Sequence, residues 1–441
     1  MFPSGFGGRR ARADLTIPGS FPIACDLKNS GGSYLADGLS GKEFIDFAGY
    51  GTSTSLGYNH PKLRDPEFLE NLGRLAMHRP VNCETHNREH AQFAETFDIV
   101  PLGGEFAHLQ FAENDWAAVE SALKTAIAWK HQKSILAKTR RRSVQLLHFK
   151  QGFHGRLGMS LSLTDVGGSE VDQFVPRLKW PRVLNPVMTF PFDDAARFVV
   201  EEDESTALQQ IDAAFQQFPG EIAAIVVETI QVPRGANFFR TEFLRALRHV
   251  CDQHECLLIF DETTTGYGLT GKWWDWQNHN VQPDLLIFGG NAQISGVAGT
   301  ERLDEVGPIL QKSGAGLQRF TGRLLDMARC QRIIEIIREH DLLANAYNMG
   351  GYLLKLLTDL PQPLPEVSAV RGRGLLTAFD LPNQEDRDRV VWSCFQEYIL
   401  VGSVGTNTVC IRPPLDVNAD TIGRAVAQLE AGIRRAFNRK A

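Results

Sequence analysis

The feature that most constrains the fold is an alternation of short apolar runs with amphipathic stretches between about residues 76 and 315. Residues 144–149 and 223–228 are predicted to be buried strands, and Val119, Leu123 and Ile127 form one apolar stripe on a predicted helix. This alternation is typical of repeated β-α units packed around a mostly parallel sheet. We therefore predict an α/β domain in this region.

The two ends of the chain predict a second, smaller unit. Strands are expected at residues 33–37, 43–46 and 374–380, and helices at residues 323–340 and 420–437. A chain of 441 residues is long enough for more than one core. The predicted division is an N-terminal arm with part of the small domain at 1–75, a large domain at 76–315 and a C-terminal small domain at 316–441.

Composition limits the classes of partner. A net charge of -6 gives no electrostatic reason to expect binding to nucleic acid or to an anionic membrane. The seven cysteines are odd in number and scattered, which suits reduced thiols in a cytosol. No apolar run reaches the length of a membrane-spanning helix. We expect a cytoplasmic protein that acts on a small molecule, with no membrane or nucleic-acid partner.

Several motifs occur in an order that resembles one family. They are residues 30–37 (SGGSYLAD), 152–156 (GFHGR), 257–266 (LLIFDETTTG), 371–374 (RGRG) and 411–415 (IRPPL). Together they resemble the class III (fold type I) aminotransferases that use pyridoxal phosphate, and more narrowly the L-lysine 6-aminotransferases, over nearly the whole chain. The resemblance implies a PLP-transferase large domain with a mostly parallel sheet. It also implies a smaller α+β domain built from both chain ends, and a homodimer.

The resemblance assigns residues to a ligand site. Asp261 corresponds to the aspartate that pairs with the protonated pyridine nitrogen of the cofactor, and Phe153 to the aromatic residue that stacks on its ring. Arg156 and Arg412 correspond to arginines that hold substrate carboxylates, a task that suits the guanidinium fork. An amino acid or related carboxylate is thus the expected ligand. A structural role for Asp261 and Arg412, as an ion pair or a cap, is the alternative.

One position of the family pattern lacks its reactive group. The lysine that forms the Schiff base in the family corresponds to Gly290, and no lysine lies between Lys272 and Lys312. Glycine can neither anchor an aldehyde nor move a proton. From this position we expect no covalently bound pyridoxal phosphate.

The turn that binds the cofactor phosphate in the family is also altered. It corresponds to residues 114–116, where Asp115 is expected to be the N-cap of a helix and Trp116 to add bulk. A carboxylate at a helix N-terminus would repel a phosphate from the site that normally attracts it. Two further family positions differ as well. A glutamine of the family pattern corresponds to Thr264, and a threonine that the neighbouring subunit contributes corresponds to Arg319.

A separate cluster has the spacing of metal ligands. His86, Glu89 and His90 would share one face of a helix, and imidazole with carboxylate suits several divalent metals. A possible divalent-metal centre is therefore one interpretation. The other is a polar helix start with ordinary histidines.

Three residues near the expected crevice are candidates for acid–base chemistry. Glu228 and Asp261 end predicted strands, where side chains of a parallel sheet face the ligand. His154 lies between Phe153 and a glycine, and a packed core histidine is an equal expectation. No pattern in the sequence decides among them.

These observations lead to one functional hypothesis and two alternatives. The leading hypothesis is an enzyme related to lysine 6-aminotransferases that has lost transamination and acts on an amino acid or related carboxylate by other chemistry, with metal assistance as one form of it. The first alternative is a non-catalytic protein that senses an amino acid or partners an active aminotransferase. The second is a residual transaminase that holds the B6 cofactor without a covalent bond.

Overall fold

A seven-stranded mixed sheet forms the centre of the large domain in the computed structural model, which describes residues 21–49, 55–78, 87–139, 143–165, 174–307 and 322–438. The strands of the chain are β1 Tyr34–Ala36, β2 Glu43–Asp46, β3 His108–Ala112, β4 Gln145–Phe149, β5 Arg182–Val183, β6 Ile222–Glu228, β7 Ile230–Gln231, β8 Asn237–Phe238, β9 Leu257–Asp261, β10 Leu285–Phe288, β11 Ser295–Gly299, β12 Ser368–Arg373, β13 Leu376–Asp380, β14 Ile399–Leu400, β15 Gly402–Val404 and β16 Thr408–Ile411.

The helices cover the sheet and build most of the C-terminal part. They are α1 Pro66–Ala76, α2 Arg88–Ile99, α3 Asp115–Leu136, α4 Ser160–Leu163, α5 Asp194–Gln217, α6 Thr241–Gln253, α7 Trp276–His279, α8 Leu324–Glu339, α9 Leu342–Asp359, α10 Gln384–Gln396 and α11 Ala419–Ala436. The strands and helices predicted from periodicity are present, with bounds that differ by a few residues.

The large sheet has the order β3-β11-β10-β9-β6-β4-β5. The pairs from β10 to β5 are parallel, and β11 runs antiparallel to both of its neighbours. Every residue of β6 and β9 is buried, because helices pack on both faces of a parallel sheet. This explains why their sequences are continuous apolar runs and confirms the α/β prediction.

The two ends of the chain meet in one small sheet. Strand β14 pairs in parallel with β2, where Ile399 lies opposite Ile45, and β2 pairs with β1. A second sheet has the order β12-β13-β16-β15. The expected small α+β part therefore combines residues from both termini, while the domain boundaries at 75 and 315 stay a prediction. In the part of the chain that the structure describes, no helix is long and apolar enough to cross a bilayer.

Candidate functional site

The carboxyl ends of β6 and β9 place two acids side by side. Glu228 is the register partner of Asp261, and both side chains are buried, with 2% and 1% of their surface exposed. In open α/β sheets the crevice beyond these strand ends is where ligands bind. Both acids therefore lie at the ends of strands, as the sequence predicted, and the strand register places them side by side.

Asp261 is held by hydrogen bonds on both of its oxygens. Its Oδ2 lies 2.8 Å from Nδ1 of His154, which is 3% exposed. Its Oδ1 accepts hydrogen bonds from the backbone N–H of Thr263 at 3.2 Å and from its hydroxyl at 2.8 Å. These contacts hold one orientation of the carboxylate just beneath the crevice surface.

Glu228 is tied to the loop that carries Phe153. Its Oε2 accepts a hydrogen bond from the backbone N–H of Phe153 at 2.9 Å. Burial raises the pKa of Glu228 well above its ordinary value, and the negative charge of Asp261 acts in the same direction. Burial therefore favours the protonated form of Glu228, and its hydrogen bond positions the Phe153 loop.

A cavity of about 350 Å³ opens above these strand ends, and we call it the crevice. Its volume falls in the range of small-molecule sites. Asp261 itself lies behind the wall, since its contact residues His154 and Thr263 form part of the surface. The wall brings together much of the predicted site: Asp115, Trp116, Phe153, His154, Thr264 and Arg412.

The two arginines predicted to bind carboxylates differ in their surroundings. Arg156 is exposed, and its guanidinium carbon lies 5.8 Å from the centre of the Phe153 ring. Arg412 is half-buried and donates from Nη2 to the carbonyl of Ala48 at 3.4 Å. Its Nε is buried and has no hydrogen-bond partner among the described residues. Arg412 therefore retains donor capacity at the crevice wall.

Asp115 does not occupy the predicted N-cap position. The N-cap of α3 is Asn114, whose side chain accepts a hydrogen bond from the N–H of Ala117 at 2.9 Å, and Asp115 is the first helical residue. The prediction was wrong because either residue can cap a helix, and the backbone path that leads into α3 places Asn114 at the N-cap. The carboxylate of Asp115 instead turns toward β11 and the loop after β10.

There, Oδ1 of Asp115 accepts hydrogen bonds from the N–H of Gly290 at 3.1 Å and from the Ser295 hydroxyl at 2.6 Å. Burial raises the pKa of Asp115 and outweighs these two hydrogen bonds, which lower it. The charge of Asp261 raises it further. Trp116, with 39% of its surface exposed, lies next to Asp115 on the crevice wall.

Gly290 lies in a tight turn between β10 and β11. It begins a short 3-10 turn, Gly290–Ala292, with a φ of 50°. A β-carbon on the preceding Gly289 would lie 2.0 Å from Oδ1 of Asp115, so the backbone and the acid are in close contact here. The Asp115 carboxyl thus occupies the space beside the residue at which the family pattern expects a lysine.

The described residues contradict the predicted metal centre. Glu89 forms an ion pair with Arg74 at 3.1 Å, and the ring of His90 packs edge-on against Phe111 with centroids 5.9 Å apart. In the described ranges no group of three or more His, Cys, Asp or Glu side chains could hold a metal ion. The prediction was wrong because helical spacing alone ignores these competing partners. His86 and Arg319 lie outside the described residues.

Sequence reasoning missed two hydroxyl residues that organise the site. Ser295 anchors Asp115, and Thr164 accepts hydrogen bonds from the N–H groups of His154 at 2.9 Å and Gly155 at 3.2 Å. Both are separated in sequence from the residues they contact. Each is a single hydroxyl residue in an ordinary segment, so no pattern in the sequence marked it as part of the site.

Characterised relatives cover nearly the full length of the chain. The L-lysine-epsilon aminotransferase of Mycobacterium tuberculosis is 38% identical over 415 residues, which are 93% of this chain and 92% of the relative. The enzyme of the same name from Amycolatopsis lactamdurans is 34% identical and covers 96% of this chain and 95% of its own. These relatives support an aminotransferase-like function and give no support to the predicted loss of transamination.

A solved structure corrects the prediction about the cofactor. Lysine aminotransferase from M. tuberculosis in the internal aldimine form matches with a TM-score of 0.91 and 37% identity, covering 96% of this chain and 97% of the other. The expectation of no covalently bound pyridoxal phosphate, drawn from Gly290, is contradicted by this likeness to an enzyme that carries the cofactor. The finding points to pyridoxal phosphate as the cofactor.

The family model described as "Aminotransferase class-III" matches residues 17–433. That match spans the large sheet, the crevice and the small part built from both chain ends. With the relatives above, it shows that this chain belongs to the class III aminotransferase family, with the fold type I architecture of enzymes that use pyridoxal phosphate.

Proposed function

We propose that the crevice binds pyridoxal phosphate and an amino acid and that the protein transfers an amino group between them. The observation that carries this proposal is the Asp261 carboxylate, held by His154 and Thr263 just beneath the crevice surface. A buried carboxylate with no cationic Lys or Arg partner among its described contacts suits a ligand that brings a positive ring nitrogen. The residues present therefore fit the ring end of the cofactor.

The roles of the surrounding residues follow from their contacts. When bound, the cofactor supplies an electron sink for the carbon that carries the reacting amino group. Asp261 would hold the ring nitrogen, and His154 would keep the carboxylate in its orientation. Phe153, whose backbone is fixed by Glu228, lines the crevice beside the ring position. These groups orient the ligand and exclude water from one side of it.

The substrate we propose is L-lysine or a related amino acid. The relatives bear the name L-lysine-epsilon aminotransferase, and Arg412 lines the crevice. A guanidinium binds a carboxylate through parallel hydrogen bonds. Arg156, exposed beside the Phe153 ring, is the second candidate for a carboxylate contact.

A second candidate function is amino-acid binding without turnover. It is favoured by the glycine at position 290 and by the carboxyl of Asp115 beside it. The protein would then serve as a sensor or as the partner of an active aminotransferase.

One experiment separates the two functions. The protein is titrated with pyridoxal phosphate and followed by absorption, and the loaded protein is then given L-lysine and 2-oxoglutarate while glutamate is measured. We expect a spectral change on cofactor binding and glutamate formation above the level of cofactor in buffer. Binding of L-lysine in calorimetry without glutamate formation would support the second candidate. Failure to bind either molecule would contradict both.

We also propose that the protein is a homodimer. The resemblance implies it, and helices α1 and α2 carry apolar side chains at the surface of the single chain, with Leu69 49% and Ile99 61% exposed. Apolar surface of this kind favours a protein contact. Light scattering should give twice the mass of one chain, and the replacements Leu69→Lys and Ile99→Lys should halve it. A single-chain mass for the unmodified protein would refute this proposal.

A further inference from the structure

We propose that Arg371 is a positioning residue for the amino-acid substrate, because it holds a loop that forms part of the crevice wall. This inference rests on the proposed function. The loop, residues 232–236, connects β7 to β8, and its first two residues, Val232 and Pro233, line the crevice. A residue that fixes this loop therefore fixes the shape of the space that is left for a ligand.

The loop follows a backbone path that its own sequence does not favour. Gly235 has a φ of 119°, and the next residue, Ala236, has a φ of 50°. A positive φ is uncommon for a residue that carries a β-carbon. Such a conformation persists where the surrounding structure holds it. Contacts from outside the loop are therefore needed to keep Ala236 in place.

Arg371 supplies these contacts from β12. Its side chain is buried, its Nε donates to the carbonyl of Ala236 at 3.1 Å, and its Nη2 donates to the carbonyl of Gly235. The same guanidinium donates to the carboxylate of Asp380 at 2.8 Å and to the carbonyl of Ala369 at 2.6 Å. The planar fork of an arginine offers five N–H donors in fixed directions. Arg371 therefore ties the loop to the small sheet.

The loop also contacts a second part of the crevice wall. The N–H of Gly405 donates to the carbonyl of Pro233 at 3.1 Å, and a β-carbon on Gly405 would lie 2.8 Å from the carbonyl oxygen of Arg234. Gly405 follows β15, whose residues Ser403 and Val404 line the crevice. A displacement of the loop therefore changes the crevice at both of these wall segments.

The wall around this loop suits the side chain of an amino acid. Val232, Pro233 and Val404 are apolar, and apolar surface favours contact with the methylene groups of a substrate such as L-lysine. Among the described residues, the hydrogen bonds of Arg371 do not reach Asp261 or the residues that hold it. We therefore expect Arg371 to act on substrate binding and not on binding of the cofactor ring.

The test measures the affinity for L-lysine in Arg371→Lys. Lysine keeps a positive charge beside Asp380, but a single ammonium group cannot replace the fork that binds two carbonyls. We expect calorimetry with the cofactor-loaded protein to show an affinity for L-lysine that is roughly ten- to a hundredfold lower, the scale on which a displacement of about 1 Å acts. The affinity for pyridoxal phosphate should not change. If L-lysine turns over, its KM should rise by a similar factor while kcat changes little.

Arg248→Lys is the matched control. Arg248 is a partly buried arginine of α6 that binds two carboxylates, Asp252 at 2.7 Å and Asp284 at 2.9 Å, and it does not line the crevice. Its replacement should lower the stability in urea and leave the affinity for L-lysine unchanged. The comparison separates positioning of the loop from a general loss of stability.

A second measurement needs no ligand. Hydrogen exchange of the free protein is followed by mass spectrometry, which reports local opening of hydrogen-bonded segments. In Arg371→Lys, peptides that cover residues 230–238 and 402–408 should exchange faster, because both segments lose the contact that holds the loop. A peptide that covers residues 152–158, on another part of the crevice wall, should exchange as in the unmodified protein.

The outcomes distinguish this inference from the proposed function. If Arg371→Lys binds L-lysine as tightly as the unmodified protein, with or without faster exchange of the loop, Arg371 is not a positioning residue and the proposed function stands. An equal loss of affinity in Arg248→Lys would also overturn the inference. If the unmodified protein binds no L-lysine, the proposed function is contradicted and the inference falls with it.

Discussion

Replacing Asp261 with asparagine should weaken the binding of pyridoxal phosphate by roughly ten- to a hundredfold. A hydrogen bond to a charged partner contributes about 1.5–3 kcal/mol, and each 1.4 kcal/mol corresponds to about tenfold in affinity. Asparagine preserves the shape of the side chain and can still accept the hydrogen bonds from Thr263. It lacks the negative charge that would hold the ring nitrogen. A titration with the cofactor, followed by absorption or calorimetry, measures the change.

The control for this substitution is Asp37→Asn. Asp37 is a buried aspartate that follows β1 and accepts hydrogen bonds from the N–H groups of Ala24 and Leu39 at 3.0 and 3.1 Å. It lies in the small sheet region and is not part of the crevice wall. Its replacement should leave cofactor affinity unchanged. Equal affinities for Asp261→Asn and the unmodified protein would remove Asp261 from the cofactor site.

Replacing Arg373 with methionine should lower the free energy of unfolding by about 3–5 kcal/mol, the usual cost of removing one partner of a buried ion pair. Arg373 donates from Nη1 to both oxygens of Asp275, at 2.8 and 3.0 Å, and lies 2.7 Å from Nε2 of His279. Asp275 and His279 are fully buried. Methionine keeps the length of the side chain but leaves the Asp275 carboxylate without its cation.

This cluster also supports the candidate site. Glu262, which follows Asp261 in the chain, accepts hydrogen bonds from the N–H groups of Asp275 at 2.6 Å and Trp276 at 2.8 Å. Because Arg373 belongs to β12, the cluster ties the C-terminal part to the segment that carries Asp261. Loss of Arg373 should therefore also reduce cofactor binding, as a consequence of the weakened segment.

The pH dependence of the Arg373→Met deficit has a defined sign. Burial on its own would raise the pKa of Asp275, but Arg373 and His279 overcome it and hold that pKa below its ordinary value. A lowered folded-state pKa contributes stability above the unfolded-state pKa, near 3.8, and this contribution is lost as the pH falls further. The deficit should therefore be full at neutral pH and shrink below about pH 4.

Two variants make the stability test specific. Arg389→Met breaks an exposed ion pair with Asp386 and should cost no more than about 1 kcal/mol. The double variant Arg373→Met with Asp275→Asn removes both charges and should recover part of the loss, since no unpaired charge stays buried. Urea denaturation measures all of them. Equal losses for Arg373→Met and Arg389→Met would contradict the assigned role of the buried pair.

The periodic apolar runs made the large domain predictable from sequence. β6 and β9 are continuous apolar strands because both faces of the parallel sheet are covered by helices. A run of apolar residues in the sequence therefore indicates a strand buried on both faces. The sequence predicted that Glu228 and Asp261 end strands of the sheet, whereas their position side by side came from the strand register of the structure. The N-cap residue of α3 was harder to predict from sequence. Asn114 and Asp115 are both good N-cap residues, and the path of the backbone before α3 decides between them.

The sequence by itself determined the family, the α/β architecture and the strand ends that carry Asp261 and Glu228, because these depend on local periodicity and on motif order. Only the tertiary structure decided the environment of individual side chains. It placed the Asp115 carboxyl against Gly290 and Ser295, paired Glu89 with Arg74 in place of a metal, and set Arg373 beside Asp275. Such contacts join residues far apart in the chain, and hydrogen bonds and burial act over a few ångströms of space whatever the separation in sequence.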